Sequence, residues 1–318
     1  MRTLVTTAGE RSEVSLDDVR ERLRSGRTGF WLDIEQPGAD DYRLLLDDLG
    51  FHPLTVEDVQ LQNQRPKLDL FPGYKFAVLF TAELDGDELA FQEHHLYLSH
   101  GWLITIHHQP SAALDGVRQR IADTPNLTRG ELGFLQYLVI AAIVESLFPT
   151  LDRLDETIDG VEDRALANAP PDTLARIADL KHHVSELRRV VSPQREVFQR
   201  LLAHSLDHAS EELTLYWRDV YEQLVRQYEM VDSLRDLLTG TMDVYMSTVS
   251  NRLNSTMKQL TVIASVFLPL TFFTGFFGMN FGYLVNHISS DTAFLLGMVL
   301  MALAVGLQVY VFRRQGWI

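Results

Sequence analysis

Gly278-Met279-Asn280 is a small polar tripeptide set between two stretches apolar enough to cross a bilayer. Behind it, at alternating spacings of three and four, come Gly275, Thr271, Leu268, Ala264, Thr261 (or Leu260), Met257, Asn254, Ser250, Ser247 and Asp243. That face is small or polar where its surroundings are Leu, Ile, Phe and Val. Its amides, hydroxyls and carbonyls are neutral oxygen donors. Such groups hydrogen-bond to a hydrated cation without trapping it, which suits Mg²⁺, an ion that gives up water reluctantly. Asp243 and Asn254 would form rings of oxygen ligands, with Ala264 and Leu268 as a dry constriction. Small and hydroxyl residues also let membrane helices approach closely, so periodicity by itself leaves both packing and pore lining open.

The elements that position this stripe are legible around it. No charged residue lies between Lys258 and Asp291. Residues 260–277 form one apolar run and residues 292–312 a second, which at about 1.5 Å per residue reaches roughly 31 Å, the depth of a hydrocarbon core. Arg252 and Lys258 precede the first run, Arg313 and Arg314 follow the second, and the loop between carries no Lys or Arg. The positive-inside rule then places both termini in the cytoplasm and Asn280 outside. The N-terminal segment has no apolar core of the length a secretion signal needs, so the first 250 or so residues are expected never to be exported.

Upstream, Leu213, Trp217, Val220, Leu224, Gln227 (or Tyr228), Val231, Leu234, Leu238, Met242, Tyr245 and Val249 repeat with heptad spacing. No proline interrupts this pattern before Pro269. A helix of about 60 residues, on the order of 90 Å, is expected to run into the first span. Such a rod needs neighbours, and copies of itself are the expected ones.

Composition narrows the class. The chain has 318 residues, a net charge of −15 and no cysteine. Its mean hydropathy is close to zero, so it is not polytopic. Residues 260–318 carry a net +1, which leaves −16 on the rest. That acidity argues against a nucleic-acid partner and suits a cation-rich setting, although solubility alone would also account for it. Without cysteine there are no disulfides, thiolate nucleophiles or Cys-based zinc sites.

Residues 1–130 read as a cytoplasmic α+β domain. TGFWLDIE is a strand ended by Pro37-Gly38, DDYRLLLDDLGF a short helix stopped at Gly50, and KFAVLFTAEL, AFQEHHLYLS and WLITIHH are further strands, with Asp85-Gly86 as a hairpin turn. Residues 131–206 read as helical. The 16 residues from Phe134 to Pro149 are apolar but short for a span and contain Gln136 and Glu145, so a buried core helix is expected. Pro170-Pro171 breaks two charged amphipathic helices. There follow a stalk helix (207–259), a first span (260–277), an external loop (278–291), a second span (292–312) and a basic tail (313–318). The histidine pairs 94–95 and 107–108 sit on strands, where neighbours point to opposite faces and chelate poorly. No phosphate loop, nucleophile elbow, HExxH or dinucleotide pattern is present, so an enzyme is not expected. The membrane potential supplies a drive without ATP: about 2.3 kcal/mol per charge per 100 mV, doubled for a divalent ion.

The hairpin with Gly278-Met279-Asn280, led in by YWRDVYEQL and VSNRLNSTMKQLTVIASVFLPLTFFTGFF, resembles the CorA magnesium/cobalt transporters. The likeness extends through TVEDVQLQNQRPKLDLFPGYKF, nearly the whole chain. It implies a homopentamer in membrane lipid, funnel-shaped, whose first spans surround the pore. The family's pore and mouth positions fall on Asn280, Thr271, Leu268, Ala264, Leu260, Met257, Asn254 and Asp243. Its cytoplasmic metal site, shared between adjacent subunits, falls on Asp219, by its place in YWRDVYE, and on Asp85. The resemblance thus implies Mg²⁺ as both cargo and regulator, holding the closed state by offsetting acidic repulsion. One departure is visible: the loop after the tripeptide reads FGYLVNHISSD, with Asn286, His287 and only a late Asp291. A histidine there favours Co²⁺, Ni²⁺ or Zn²⁺ as further cargo. Related zinc transporters have a different middle residue in the tripeptide, and Met279 favours the magnesium branch. The alternatives are proton-coupled zinc transport on the same scaffold and, in another class, a membrane-anchored sensor or scaffold.

Overall fold

The computed structural model describes residues 1–62, 64–124, 126–167, 169–205, 210–282 and 290–317. They divide into two compact units: Met1–Arg164 with Pro171–Met242, and Ala165–Pro170 with Asp243–Ile318.

The first unit is built on a seven-stranded sheet. Its strands are β1 (Arg2–Thr6), β2 (Arg11–Glu13), β3 (Phe30–Glu35), β4 (Lys67–Phe71), β5 (Tyr74–Asp85), β6 (Glu88–Leu98) and β7 (Trp102–His107), in the order β2-β1-β3-β7-β6-β5-β4. β3 and β7 run parallel; every other neighbouring pair is antiparallel. β3 is apolar almost throughout because both of its faces are covered. Trp31 points into a core with Leu79, Leu96 and Leu103, closed by Leu114 and Val117 of α4 (Ala112–Asp123) and by Leu135 and Val139 of α5 (Leu132–Glu145). Phe30, Leu32 and Ile34 enter the opposite core with Phe76 and Tyr97. That side is covered by Val19 of α1 (Leu16–Arg24), Leu44 of a π-helical turn after α2 (Ala39–Arg43), and Val56 of α3 (Pro53–Leu61).

The β5–β6 turn lies one residue later than the sequence indicates. Asp85 is still paired, opposite Glu88, and the loop is Gly86-Asp87. Gly86 has φ +59°, so the glycine takes the first central position, where a two-residue hairpin demands positive φ.

α5 is the expected core helix. Eight of its residues, Phe134 to Val144, are buried. By length and hydropathy Leu132–Ala167 would pass for a membrane span, but half of its apolar window is buried inside the protein, against 0% for the windows in α8 (Glu211–Phe277) and α9 (Asp291–Arg314). Between them lie α6 (Phe148–Ala167) and α7 (Pro171–Ser205).

α8 is one helix of 67 residues, somewhat longer than the pattern indicates. Its heptad face is buried from Leu213 through Trp217, Val220, Leu224, Gln227, Val231 and Leu234 to Leu238. The expectation that copies of the helix cover this face is corrected for that stretch: the chain covers it itself. Trp217, Val220 and Leu224 share a core with α5 and with Val197, Phe198 and Leu201 of α7. Gln227 donates to the Val144 carbonyl at 2.6 Å, and the Arg195 guanidinium sits 4.3 Å from the Tyr228 ring.

Charge is also buried in the sheet unit. Burial pushes the Asp33 carboxyl up, but His107 and Arg118 beside it, with the Thr105 hydroxyl donating, hold it below the ordinary carboxylate range. Trp31 Nε1 donates to Thr105 at 2.7 Å, which ties β3 to β7. His94 and His95 are fully buried on opposite faces of β6, and burial pushes both imidazoles down to about 3. They are core histidines.

Candidate ion pathway and cation site

The second unit carries the stripe. Asp243, Asn254, Met257, Leu260, Ala264, Leu268 and Thr271 are all exposed on α8, with Met257 and Leu260 at 59% and Leu268 at 72%. A helix shows an apolar face this open only where something else covers it, be it lipid or another protein surface. The threonine hydroxyls of the stripe are satisfied within the helix: Thr261 donates to the Met257 carbonyl at 2.8 Å and Thr271 to the Phe267 carbonyl at 2.9 Å. A hydroxyl spent this way costs nothing in hydrocarbon and leaves its oxygen as an outward acceptor. Pro269 lies inside the span and withholds the N–H that would meet the Ser265 carbonyl, a second source of acceptor character.

α8 ends at the tripeptide. Gly278 N donates to the Thr274 carbonyl at 2.9 Å and Met279 N to the Phe276 carbonyl at 3.3 Å, closing the last turn. A Cβ at position 278 would lie 3.0 Å from the Thr274 carbonyl oxygen, a tight contact that glycine avoids. Gly278, Met279 and Asn280 are exposed, and they line one side of a cavity of about 470 Å³ whose other side is Phe294, Gly297 and Met298 of α9. α9 begins at a Ser290 cap whose hydroxyl accepts from Ala293 N at 3.3 Å. Asp291 lies in its first turn and Arg313 and Arg314 in its last, the charge order a helix dipole favours. Asn286 and His287 lie outside the described residues.

In the first unit, Asp219 is exposed on α8 and Asp85 is exposed at the end of β5. Among the described residues no three His, Asp or Glu side chains gather into a metal-holding cluster. Asp219 does have neighbours that sequence reasoning missed. The Gln223 amide nitrogen donates to Asp219 Oδ2 at 2.9 Å and to Glu145 Oε1 at 3.3 Å. Gln223 is 6% exposed, and its amide oxygen has no hydrogen-bond partner. The Tyr137 phenol is pushed up, first by burial and then by Asp219 and Glu145. Two signals were available: Asp219 and Gln223 lie one helical turn apart, and Glu145 is a lone acid closing an apolar helix. Along α6, Asp155 is pushed up by burial and by Asp159, Asp152 and Glu156, a mark of crowded negative charge.

Residues 27–314 match the family model described as CorA-like Mg²⁺ transporter protein. The chain is 32% identical to the cobalt/magnesium transport protein CorA of Thermotoga maritima, over 96% of this chain and 89% of that one. Its structure resembles the complete CorA magnesium transporter of Methanocaldococcus jannaschii with a TM-score of 0.80 at 22% identity, covering 100% of this chain and 99% of that one. The cytoplasmic domain of ZntB from Vibrio parahaemolyticus matches with a TM-score of 0.63 at 16% identity, over 79% of this chain and 98% of that one. At those identities the two structural likenesses establish fold alone.

Proposed function

The chain belongs to the CorA-like Mg²⁺ transporter family, and on that premise we propose that it carries Mg²⁺, with Co²⁺ and Ni²⁺ as further cargo, through a pore built from copies of α8. The observation that carries this reading is the open stripe from Asp243 to Thr271 on one uninterrupted helix, which ends at Phe277 just before the tripeptide. An anchor alone has no need of amides and hydroxyls at those positions, whereas a pore does. Five copies are the assembly the family resemblance implies. Both termini lie in the cytoplasm, the spans in the cytoplasmic membrane, and Asn280 meets the hydrated ion first through its amide oxygen. Asn254 and Asp243 offer oxygens at the inner end, and Leu268 and Ala264 form the dry constriction between them.

Influx is passive and driven by the membrane potential. Closure is set by cytoplasmic Mg²⁺ bound at Asp219, with Asp85 of an adjacent copy, where a divalent ion offsets the repulsion between acidic subunits. The test is ion flux into liposomes holding the full-length protein, with Mg²⁺, Co²⁺, Ni²⁺ and Zn²⁺, with and without a pH gradient. Asn280→Ala should cut Mg²⁺ entry at least about tenfold, because the mouth loses its oxygen ring. Undiminished entry removes Asn280 from the selectivity role, and a flux that needs the pH gradient would replace the reading with proton-coupled transport.

A further inference from the structure

We propose that Arg153 of α6 is a positioning residue for the regulatory cation, with Arg176 of α7 in a lesser part: together they hold the β5–β6 tip so that Asp85 meets the ion in one orientation. The inference rests on the reading of Asp85 as a regulatory ligand and adds the groups that aim it.

β4 leaves β5 early. Their ladder ends at the Lys67–Val78 pair, whereas β5 runs on to Asp85 with β6 alone beside it. Past Val78 one edge of β5 has no strand, and its backbone groups need other partners. Side chains of α6 and α7 supply them at alternate residues, as the pleat requires. Phe80 N donates to the Gln194 amide oxygen at 2.8 Å, and the Ala82 carbonyl accepts from the Thr150 hydroxyl at 2.8 Å. The Leu84 carbonyl accepts from the Arg153 guanidinium at 2.5 Å. Gln194 and Thr150 are buried, as the caps of a covered sheet edge should be. Arg153 is exposed, and it grips the last residue before Asp85.

That carbonyl lies in the peptide plane that carries the Asp85 nitrogen and Cα, so fixing its oxygen also fixes where Asp85 starts. Beyond the turn, Arg176 pairs with Asp87 at 2.5 Å. Asp85 is therefore bracketed, by Arg153 before it and by Arg176 after it, at a hairpin tip of the kind that is otherwise loose. Neither guanidinium is spent on Asp85 itself, and its carboxylate stays exposed and open to a cation. A ligand held in place before the ion arrives binds more tightly than one that must be ordered first. Position and charge pull in opposite directions here. Removing Arg153 takes a positive charge away from the site, which alone would tighten cation binding. Losing its grip on the Leu84 carbonyl loosens it.

The experiment uses the full-length protein in liposomes, with Mg²⁺ alone as the probe, and reads the Mg²⁺ concentration that half-closes the flux. Arg153→Ala should raise it about tenfold, as loss of a group that orients a metal ligand does, and Arg153→Lys should restore most of the loss. Added to Asp85→Asn, Arg153→Ala should shift closure no further, because it acts only through Asp85. Thr150→Val breaks the edge contact farther from the tip, so it should lower the melting temperature and leave closure unchanged. Arg176→Ala, whose pair is open to water, should shift closure in the same direction by less, and it carries the test if Arg153→Ala does not fold. If Asp85→Asn raises the half-closing concentration while Arg153→Ala leaves it unchanged or lowers it, the inference fails and the regulatory reading of Asp85 stands. A shift by Thr150→Val as large as that by Arg153→Ala would reduce the effect to a loosened sheet edge and overturn the positioning role. If Asp85→Asn does not move closure, the reading of Asp85 itself is wrong.

Discussion

The two halves of α8 share one spacing and meet different surroundings. From Leu213 to Leu238 the repeating face is Leu, Trp and Val and is buried within the chain, against α5 and α7 from Leu213 to Leu224, with Val220, Leu224 and Leu238 at 0% exposure. From Asp243 to Thr271 the face at the same spacing is open, with Leu268 at 72%. A three-and-four pattern therefore says which face of a helix seeks burial and is silent on whose atoms supply it. Composition says more. The inner stretch is large and apolar and is matched within the fold, whereas the open stretch is small and polar, as close-set copies or a water-filled path would require.

Truncation should separate the halves most sharply. Leu224→Ala removes a fully buried side chain from the α5–α7–α8 core and should cost about 2–5 kcal/mol. Leu268→Ala, on the open half, should change the stability of the first unit by less than about 0.5 kcal/mol. Its effect belongs in flux: a wider, less dry constriction should raise Mg²⁺ leak at high cytoplasmic Mg²⁺. Denaturation of detergent-solubilised protein followed by circular dichroism, paired with liposome flux, checks both. Equal loss of stability in the two variants would erase the distinction between the halves.

Acid provides a second cut. Burial holds His94 and His95 at about 3 in the folded sheet unit, whereas an unfolded imidazole titrates near 6.5. As pH falls below about 6.5 the unfolded chain binds protons that the folded one refuses, so each histidine removes about 1.4 kcal/mol per pH unit until its folded value is reached. His107 works the other way. Burial pulls it down, but the Asp33 carboxylate raises it on balance, so its contribution is present at low pH and is lost as pH rises. With two histidines against one, the melting temperature of the first unit should fall between pH 7 and pH 5, and His95→Phe should flatten that fall. α8 from Gln259 to Phe277 has no titratable group, so its helical signal should outlast the sheet unit. A melting temperature that rises toward pH 5 would show that the Asp33–His107 pair outweighs the two core histidines.

Much of this architecture was legible because its signals are local. Strand alternation, the stop at Gly50, the apolar run of α5 with its embedded Gln136 and Glu145, and the heptads of α8 each reflect a residue's immediate surroundings. The open stripe was legible for the same reason, since small and polar residues at helical spacing stand out in a span. What escaped the sequence depends on pairs distant along the chain. Glu145 reaches Gln223 across 78 positions, and Asp33 meets Arg118 across 85; no periodicity joins such residues. The identity of the helices covering Leu213–Leu238 escaped likewise, because α7 and a further copy of α8 present the same amphipathic requirement. The hairpin turn slipped by one residue because Asp85-Gly86 and Gly86-Asp87 are both sound turn pairs, and only the strand register chooses between them.

The smallest effect tests the edge of the inner half, where burial gives way to charge. Asp232 lies one residue past the buried Val231, with Arg188 of α7 at 3.7 Å and Arg235 at 3.4 Å. Both guanidiniums are close enough to feel the carboxylate, but the contact is long, all three side chains are more than a third exposed, and Asp232 Oδ1 accepts no hydrogen bond. Oδ1 itself is buried, but each of the three side chains is more than a third exposed, so the Coulomb gain is screened, and Asp232→Asn should cost less than about 1 kcal/mol. The loss should shrink further at about 1 M salt, where the screening length falls to about 3 Å. A larger, salt-insensitive loss in the same denaturation assay would mean that α7 and α8 are clasped by this ion pair and not by the Val220–Leu238 face. The inner half would then owe its intrachain partner to charge, and the contrast with the open half would rest on electrostatics in place of apolar matching.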